Sequence, residues 1–208
     1  MTDASTVHAI IPLSLLEALR NLDTPVDDGL EELAGEIVAK RLGLSPTVAA
    51  QIERYQSVAR NRGQVDLEEA LAVFRLTGRR PDAGLVFADA GRRAARRSAR
   101  QTALPLRALH AALPGGLSRR LGRRLAARAA RKILRAELKG GAAGAEARVP
   151  TSLAIRALPE GQGCVFYGAA VGELLRVLTG FEGAMVHTRC RGRGDDRCQW
   201  VATAGGEY

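Results

Sequence analysis

The spacing of apolar residues predicts helices over most of the first half of the chain. Within residues 13–74 apolar side chains recur with the three-to-four-residue period of amphipathic helices. Ser45-Pro46 is a good helix start, because serine caps the first turn and proline fits the first helical position. Gly78 ends the last of these helices. The pattern therefore predicts an all-helical N-terminal region over residues 1–78, with no cluster of chemically reactive side chains.

Two helices with basic faces are predicted next, over residues 82–104 and 118–138. The first has arginines on one side and small residues on the other. Such a side allows either tight helix packing or the close approach of a flat ligand, and packing is the commoner use. The second helix sets leucines and alanines opposite arginines and is strongly amphipathic. The small side of the first helix comprises Gly84, Ala88, Gly91, Ala95 and Thr102.

The pattern changes after the glycine-rich stretch 140–144. Alternating apolar residues in 151–158 predict a strand, and 164–179 returns to helical spacing. Residues 184–190 and 199–203 are typical of two strands joined by a glycine-rich and arginine-rich connection. The chain is therefore predicted to be an α+β protein, in which helices are followed by a small mixed unit.

The overall composition is that of a globular protein. The chain has 208 residues, of which 46% are hydrophobic and 25% charged. No apolar run approaches the roughly 20 residues that span a bilayer. The first residues lack the basic and then apolar pattern of a secretory signal. Three cysteines are too few, and odd in number, for a disulfide framework, so we expect a cytoplasmic protein.

The formal net charge of +9 is unevenly distributed. Residues 1–78 hold 7 basic and 12 acidic side chains, and residues 140–208 hold 7 of each. Residues 79–139 hold 17 basic and only 3 acidic side chains. A composition rich in arginine, alanine and glycine explains why the cations are arginine, but it leaves the scarcity of acids in this block unexplained. The two basic helices are therefore candidates for docking an acidic partner or the acidic N-terminal region of the chain itself.

The three cysteines and one histidine of the last unit form a candidate metal site. Their spacing is Cys-x22-His-x2-Cys-x7-Cys, and thiolates with imidazole suit a tetrahedral zinc ion. The first cysteine begins a helix, whose dipole stabilises a thiolate. The usual Cys-x2-Cys knuckle is absent, so three buried unreactive cysteines, or a redox pair, remain alternatives. The proposed ligands are Cys164, His187, Cys190 and Cys198.

The same residues resemble a known family. Gly163-Cys164-Val165 and the segment from Met185 to Trp200 are similar to the 4-vinyl reductase domain, which is also the sensor module of aromatic-responsive transcription activators. In those sensors three cysteines and a glutamate hold zinc at this spacing, and His187 stands where the sensors have glutamate. Weaker similarity in Ala90-Gly91-Arg92 and within 113–128 extends to the stand-alone bacteriochlorophyll-biosynthesis branch of the family.

The resemblance implies helices packed on a small antiparallel sheet with a zinc site. It divides the chain into an N-terminal helical region, 1–78, and a ligand-binding domain, 79–208, with a metal-binding core at 150–203. It also implies a homodimer and a hydrophobic, cyclic or aromatic ligand such as a tetrapyrrole. The candidate ligand-binding residues are the small face with its neighbouring arginines and three aromatic residues, namely Gly84, Ala88, Gly91, Arg92, Ala95, Arg96, Phe166, Tyr167 and Trp200.

Three function classes follow from these features. The first is a zinc-stabilised binding protein that carries a pigment precursor in (bacterio)chlorophyll biosynthesis. The second is a 4-vinyl reductase acting on a divinyl tetrapyrrole, although no G-x-G-x-x-G segment follows a strand to bind a hydride donor. The third is an aromatic-ligand sensor or a nucleic-acid-binding regulator. Direct nucleic-acid binding is disfavoured by an aromatic content of only 4%, since stacking on single strands needs aromatic side chains.

Overall fold

The computed structural model describes residues 5–24, 42–103, 115–140, 144–150 and 152–204. Among these residues are seven α-helices and six strands. The helices are α1 (Ile10–Asp23), α2 (Pro46–Arg60), α3 (Leu67–Gly78), α4 (Ala83–Ala103), α5 (Gly115–Ala129), α6 (Leu153–Ala157) and α7 (Val165–Thr179). The strands are β1 (Thr6–His8), β2 (Gln64–Asp66), β3 (Glu137–Lys139), β4 (Glu146–Val149), β5 (Gly183–Arg189) and β6 (Cys198–Ala204).

The strands form two antiparallel sheets, which confirms the α+β class. β1 pairs with β2, and the larger sheet has the order β3-β4-β6-β5. The inner face of the larger sheet carries the buried residues Ala147, Val149 and Trp200, and α7 packs across this face. None of the described helices combines the length and the apolar character needed to cross a membrane.

The N-terminal region is helical only in part. The helix start predicted at Ser45-Pro46 is confirmed, since the Ser45 side chain accepts a hydrogen bond from the Val48 N–H. The Asp66 side chain caps α3 by accepting from the Glu68 N–H. The prediction of an all-helical region is wrong, because β1 and β2 pair across it with Val7 opposite Val65. Both valines are buried. Three-residue strands carry too little alternation to be seen in the sequence.

Two predicted elements of the second half are also corrected. Residues 151–158 contain the helix α6 rather than a strand, because the Ser152 hydroxyl accepts from the Ile155 N–H and starts a helical turn. The basic helix predicted over 118–138 begins at Gly115 and becomes a π-helical turn at Ala130–Leu134. Arg135 follows with a left-handed φ of 52°, which turns the chain into β3.

One hydrophobic core runs through both halves of the chain. It is continuous across residue 78, and α1 and α7 both pack on α4. The α4–α7 contact is the most extensive between any two described elements. At its centre a methyl group on Gly91 would lie 2.3 Å from the Phe166 carbonyl oxygen. The small side predicted for this helix therefore serves, at this position, the close approach of another backbone.

A chain of aromatic contacts passes through this core. The Phe74 ring lies 5.6 Å from the rings of both Phe87 and Phe166, measured between centroids. Phe166 meets Tyr167 edge to face, and Tyr167 lies 5.9 Å from Trp200. All five side chains are fully buried or nearly so. The contacts connect α3 and α4 of the first half to β6 of the last unit.

Replacement of Gly91 by alanine should separate α4 from α7. We expect Gly91→Ala to lower the free energy of unfolding by about 1–3 kcal/mol, the usual cost of overpacking a dense core. Gly84→Ala is the matched control, because Gly84 lies on the same helix with no atom within 4 Å of an added methyl group. The control should be neutral or slightly stabilising. Urea denaturation measures both, and equal effects would contradict the packing role of Gly91.

Candidate metal centre

Four side chains converge where α7 begins beside the β5–β6 hairpin. Cys164 is the last residue of a short 3₁₀ turn, Gln162–Cys164, that leads into α7. His187 lies on β5, Cys190 directly follows that strand, and Cys198 is the first residue of β6. Their ligand atoms all lie within 4.8 Å of one another. The structure thus brings together all four residues that the sequence proposed as ligands.

An irregularity in β5 places His187 and Cys190 on the same side. Residues three apart in a regular strand point to opposite faces of the sheet. The pairing register of β5 with β6 shifts between His187 and Arg189, so Thr188 is an extra residue. This bulge reverses the alternation, and it brings the imidazole and the following thiol to the inner face. The sequence did not show this, because a bulge leaves no clear pattern in one short strand.

The sulfur positions fit a metal ion better than they fit a disulfide. The Cys164 Sγ lies 3.9 Å from the Sγ atoms of both Cys190 and Cys198. Ligands about 2.3 Å from a tetrahedral zinc ion are about 3.8 Å apart, whereas bonded sulfurs are about 2.05 Å apart. All three cysteines are free and buried. The four residues are therefore close enough to hold a metal ion, and the spacing is compatible with zinc.

The imidazole of His187 is fixed in position, and one of its two ring nitrogens lacks a hydrogen-bond partner within the described residues. Its ring stacks on the Trp200 indole with centroids 4.5 Å apart and planes 7° from parallel. The Nε2 atom is buried and makes no hydrogen bond within the described part of the chain. A buried nitrogen without a partner costs free energy. A bound metal ion would remove that cost, which makes His187 a suitable fourth ligand.

The thiols polarise one another. Hydrogen bonding with Cys164 lowers the pKa of the Cys198 thiol, with further help from His187 and the Arg191 backbone N–H. The pKa of Cys164 is correspondingly raised, mainly because that thiol donates the hydrogen bond and because it is buried. The environment therefore favours the thiolate form of Cys198, which is the form that binds a metal cation. Three thiolates and one zinc ion would leave a formal charge of about −1.

Two glycines and an aspartate that were not proposed as site residues shape the centre. Gly161 has a φ of +83°, and a methyl group there would lie 2.7 Å from the Cys190 Sγ. A methyl group on Gly192 would lie 2.6 Å from the Pro159 carbonyl oxygen. The Asp195 carboxylate accepts a 2.7 Å hydrogen bond from the Cys190 N–H. Their only trace in the sequence is a run of glycine and aspartate next to the cysteines.

The proposed ligand-binding residues fall into two groups. Phe166, Tyr167 and Trp200 are fully buried in the aromatic chain, and Gly91 and Ala95 are buried as well. The other four are exposed or half-buried on the outer side of α4, namely Gly84, Ala88, Arg92 and Arg96. Arg96 forms an ion pair with Glu173 of α7, with 2.6 Å between Nε and Oε1. The structure does not bring the two groups together on one surface.

Alanine at Gly161 should weaken metal binding by crowding a ligand sulfur. We expect Gly161→Ala to lower zinc affinity by about 10–100-fold, as the loss of other supporting contacts around metal sites does. Gly194→Ala is the matched control, because Gly194 also has a positive φ, +93°, but an added methyl group meets no atom within 4 Å. Competition with a chromophoric chelator measures both affinities. Equal losses would attribute the effect to backbone conformation alone.

Comparison with known proteins gives no relative for this chain. No protein-family model, no curated protein and no solved structure matches it. The resemblance to the 4-vinyl reductase domain therefore stays a prediction, and the function must be inferred from the metal centre and its surroundings.

Proposed function

We propose that this protein is a zinc-stabilised small-molecule-binding protein of the 4-vinyl reductase type. Its ligand is a hydrophobic cyclic molecule with carboxylates, such as a tetrapyrrole of (bacterio)chlorophyll biosynthesis. The observation that carries the proposal is the convergence of three thiols and one imidazole, at the spacing of that family's zinc site, within 4.8 Å.

The donor set supports a structural role for the zinc ion. Catalytic zinc sites have three protein ligands and an open position, whereas closed sites have four. Here Cys164, His187, Cys190 and Cys198 supply four, and three of them are buried while His187 is partly so. Zinc bound by all four would tie the start of α7 to both strands of the hairpin. This favours ligand binding over a zinc-dependent reductase reaction.

Of the residues predicted to bind the small molecule, the accessible ones lie on the outer side of α4. Gly84, Ala88 and Arg92 follow one another at intervals of four residues, so they form one row along the helix. Leu85, with 65% of its surface exposed, lies beside this row. A flat apolar ring would lie over the small residues, with a carboxylate directed to Arg92. Arg92 suits that role better than Arg96, whose guanidinium is already paired with Glu173.

The purified protein should contain about one equivalent of zinc by elemental analysis. Cys190→Ser should lose the metal and much of its stability, because a weak hydroxyl ligand replaces a thiolate in a buried cluster. Thr188→Ser is the matched control, since Thr188 is exposed on the same hairpin. Thermal denaturation with and without a chelator compares the two variants. Metal-free protein with unchanged thermal stability would contradict the structural role.

Protoporphyrin IX, a dicarboxylate tetrapyrrole, is a direct probe of ligand binding. Titration followed by absorbance should show saturable binding near one equivalent. Arg92→Gln should weaken binding about fivefold, since an exposed ion pair contributes up to about 1 kcal/mol. Arg100→Gln, an exposed arginine of the same helix, is the control and should bind normally. Absence of binding would refute the ligand class, and robust NADPH oxidation with a divinyl substrate would favour a reductase.

A further inference from the structure

The two basic helices differ in what their arginines contact. In α4 the partners of the arginines come from other elements as well as from the helix itself. Arg96 binds Glu173 of α7, and Arg97 binds the buried Glu17 of α1. The remaining ion pairs of this region are Arg93–Asp89, Arg80–Asp82 and Arg80–Asp23. Much of the positive charge of α4 is therefore neutralised within the fold.

Among the described residues, the arginines of α5 have no such partners. Within the described residues, no carboxylate lies within ion-pairing distance of the cations from Arg119 to Lys132. Residues 115–139 contain nine basic side chains and one acidic side chain. They therefore carry +8 of the chain's formal net charge of +9. We name the unpaired cations the arginine ribbon, which comprises Arg119, Arg120, Arg123, Arg124, Arg128, Arg131 and Lys132.

The arginine ribbon is a continuous surface on a fixed support. Arg120, Arg124 and Arg128 are four residues apart, so their Cα atoms follow one another at intervals of about 6 Å along the helix. The whole ribbon is about 20 Å long. Its last part lines a groove of about 470 Å³. The opposite face of α5 is anchored in the core through buried Leu125 and Ala126.

We propose that the arginine ribbon binds the phosphate backbone of duplex DNA without sequence preference. Arginine pairs with phosphate oxygens bidentately, and a row of cations on a rigid helix matches a line of regularly spaced anions. Duplex DNA carries one negative charge per about 1.7 Å of its axis, so several phosphates face a ribbon of this length. This role is independent of the small-molecule ligand.

Other polyanions fit the surface less well. A protein interface has a centre of apolar and aromatic side chains with charges at its rim, but the ribbon has cations along its whole length. A membrane-surface helix inserts an apolar face along its length, whereas the apolar side of α5 is buried at Leu125 and Ala126 and exposes one leucine, Leu117, in its first turn. Single strands need exposed aromatic rings for stacking, and the described residues of α5 include none.

The test uses the zinc-loaded full chain and a fluorescent 30-base-pair duplex of mixed sequence. We expect dissociation constants of about 10⁻⁴–10⁻⁶ M near physiological salt. With about five or six phosphate contacts, the logarithm of the affinity should fall with the logarithm of salt with a slope near −5. The affinity should therefore decrease about 10³-fold between 50 and 200 mM salt. A second duplex of unrelated sequence should bind equally well.

The decisive comparison is between two triple variants with the same loss of charge. Arg120→Gln/Arg124→Gln/Arg128→Gln should bind at least tenfold more weakly, with a slope reduced by about three units. Arg20→Gln/Arg60→Gln/Arg79→Gln removes three exposed arginines outside the ribbon and should bind almost normally. Circular dichroism checks that both variants keep the fold.

Three outcomes would overturn the proposal. The first is absence of duplex binding at 50 mM salt, and the second is an equal loss of affinity in both triple variants. The third is tighter binding of polyglutamate or of anionic vesicles than of duplex DNA at the same salt concentration. Polyglutamate preference would assign the ribbon to the acidic protein partner expected from the sequence. Vesicle preference would assign it to a membrane surface.

Discussion

The close approach of α4 and α7 at Gly91 is the contact on which the rest of the structure depends. Because glycine has no side chain, the Phe166 carbonyl can lie against the α4 backbone. Cys164 lies two residues before Phe166, so the same contact positions the start of α7, and with it the first thiol, relative to α4. Helix packing therefore contributes to the position of the first thiol, in addition to its contacts with the other two sulfurs. A metal ion would strengthen an arrangement that the core already imposes.

The aromatic chain extends this dependence to the N-terminal half. Trp200 contacts Tyr167 on one side and stacks on His187 on the other, so the imidazole of this proposed metal ligand packs against the core. Phe74 of α3 contacts Phe166, which precedes Tyr167. A rearrangement of the first half would therefore shift the aromatic side chains that hold His187 at the candidate metal centre. The two regions that the sequence analysis separated at residue 78 therefore share one hydrophobic core.

The features that could be predicted from the sequence are those set by the spacing of nearby residues. The spacing of Cys164, His187, Cys190 and Cys198 identified the cluster, and the long helices α4 and α7 were found within one or two residues of their ends. Strands of three residues, and the five-residue α6, carry too few positions to establish a period. The bulge at Thr188 and the close approach at Gly161 depend on contacts between elements. A single sequence does not show such contacts.

Ion pairs, too, depend on contacts between elements that are distant in the sequence. Composition grouped all the arginines of residues 79–139 into one basic block, but the Glu17 and Glu173 partners of α4 lie 80 and 77 residues away from their arginines. Within the described part of the chain, the arginines on the outward face of α5 have no carboxylate partner. Substitutions at exposed positions without partners usually change stability by less than about 0.5 kcal/mol. The charge of that face can therefore change at little cost in stability, so the fold itself does not require that face to be positive.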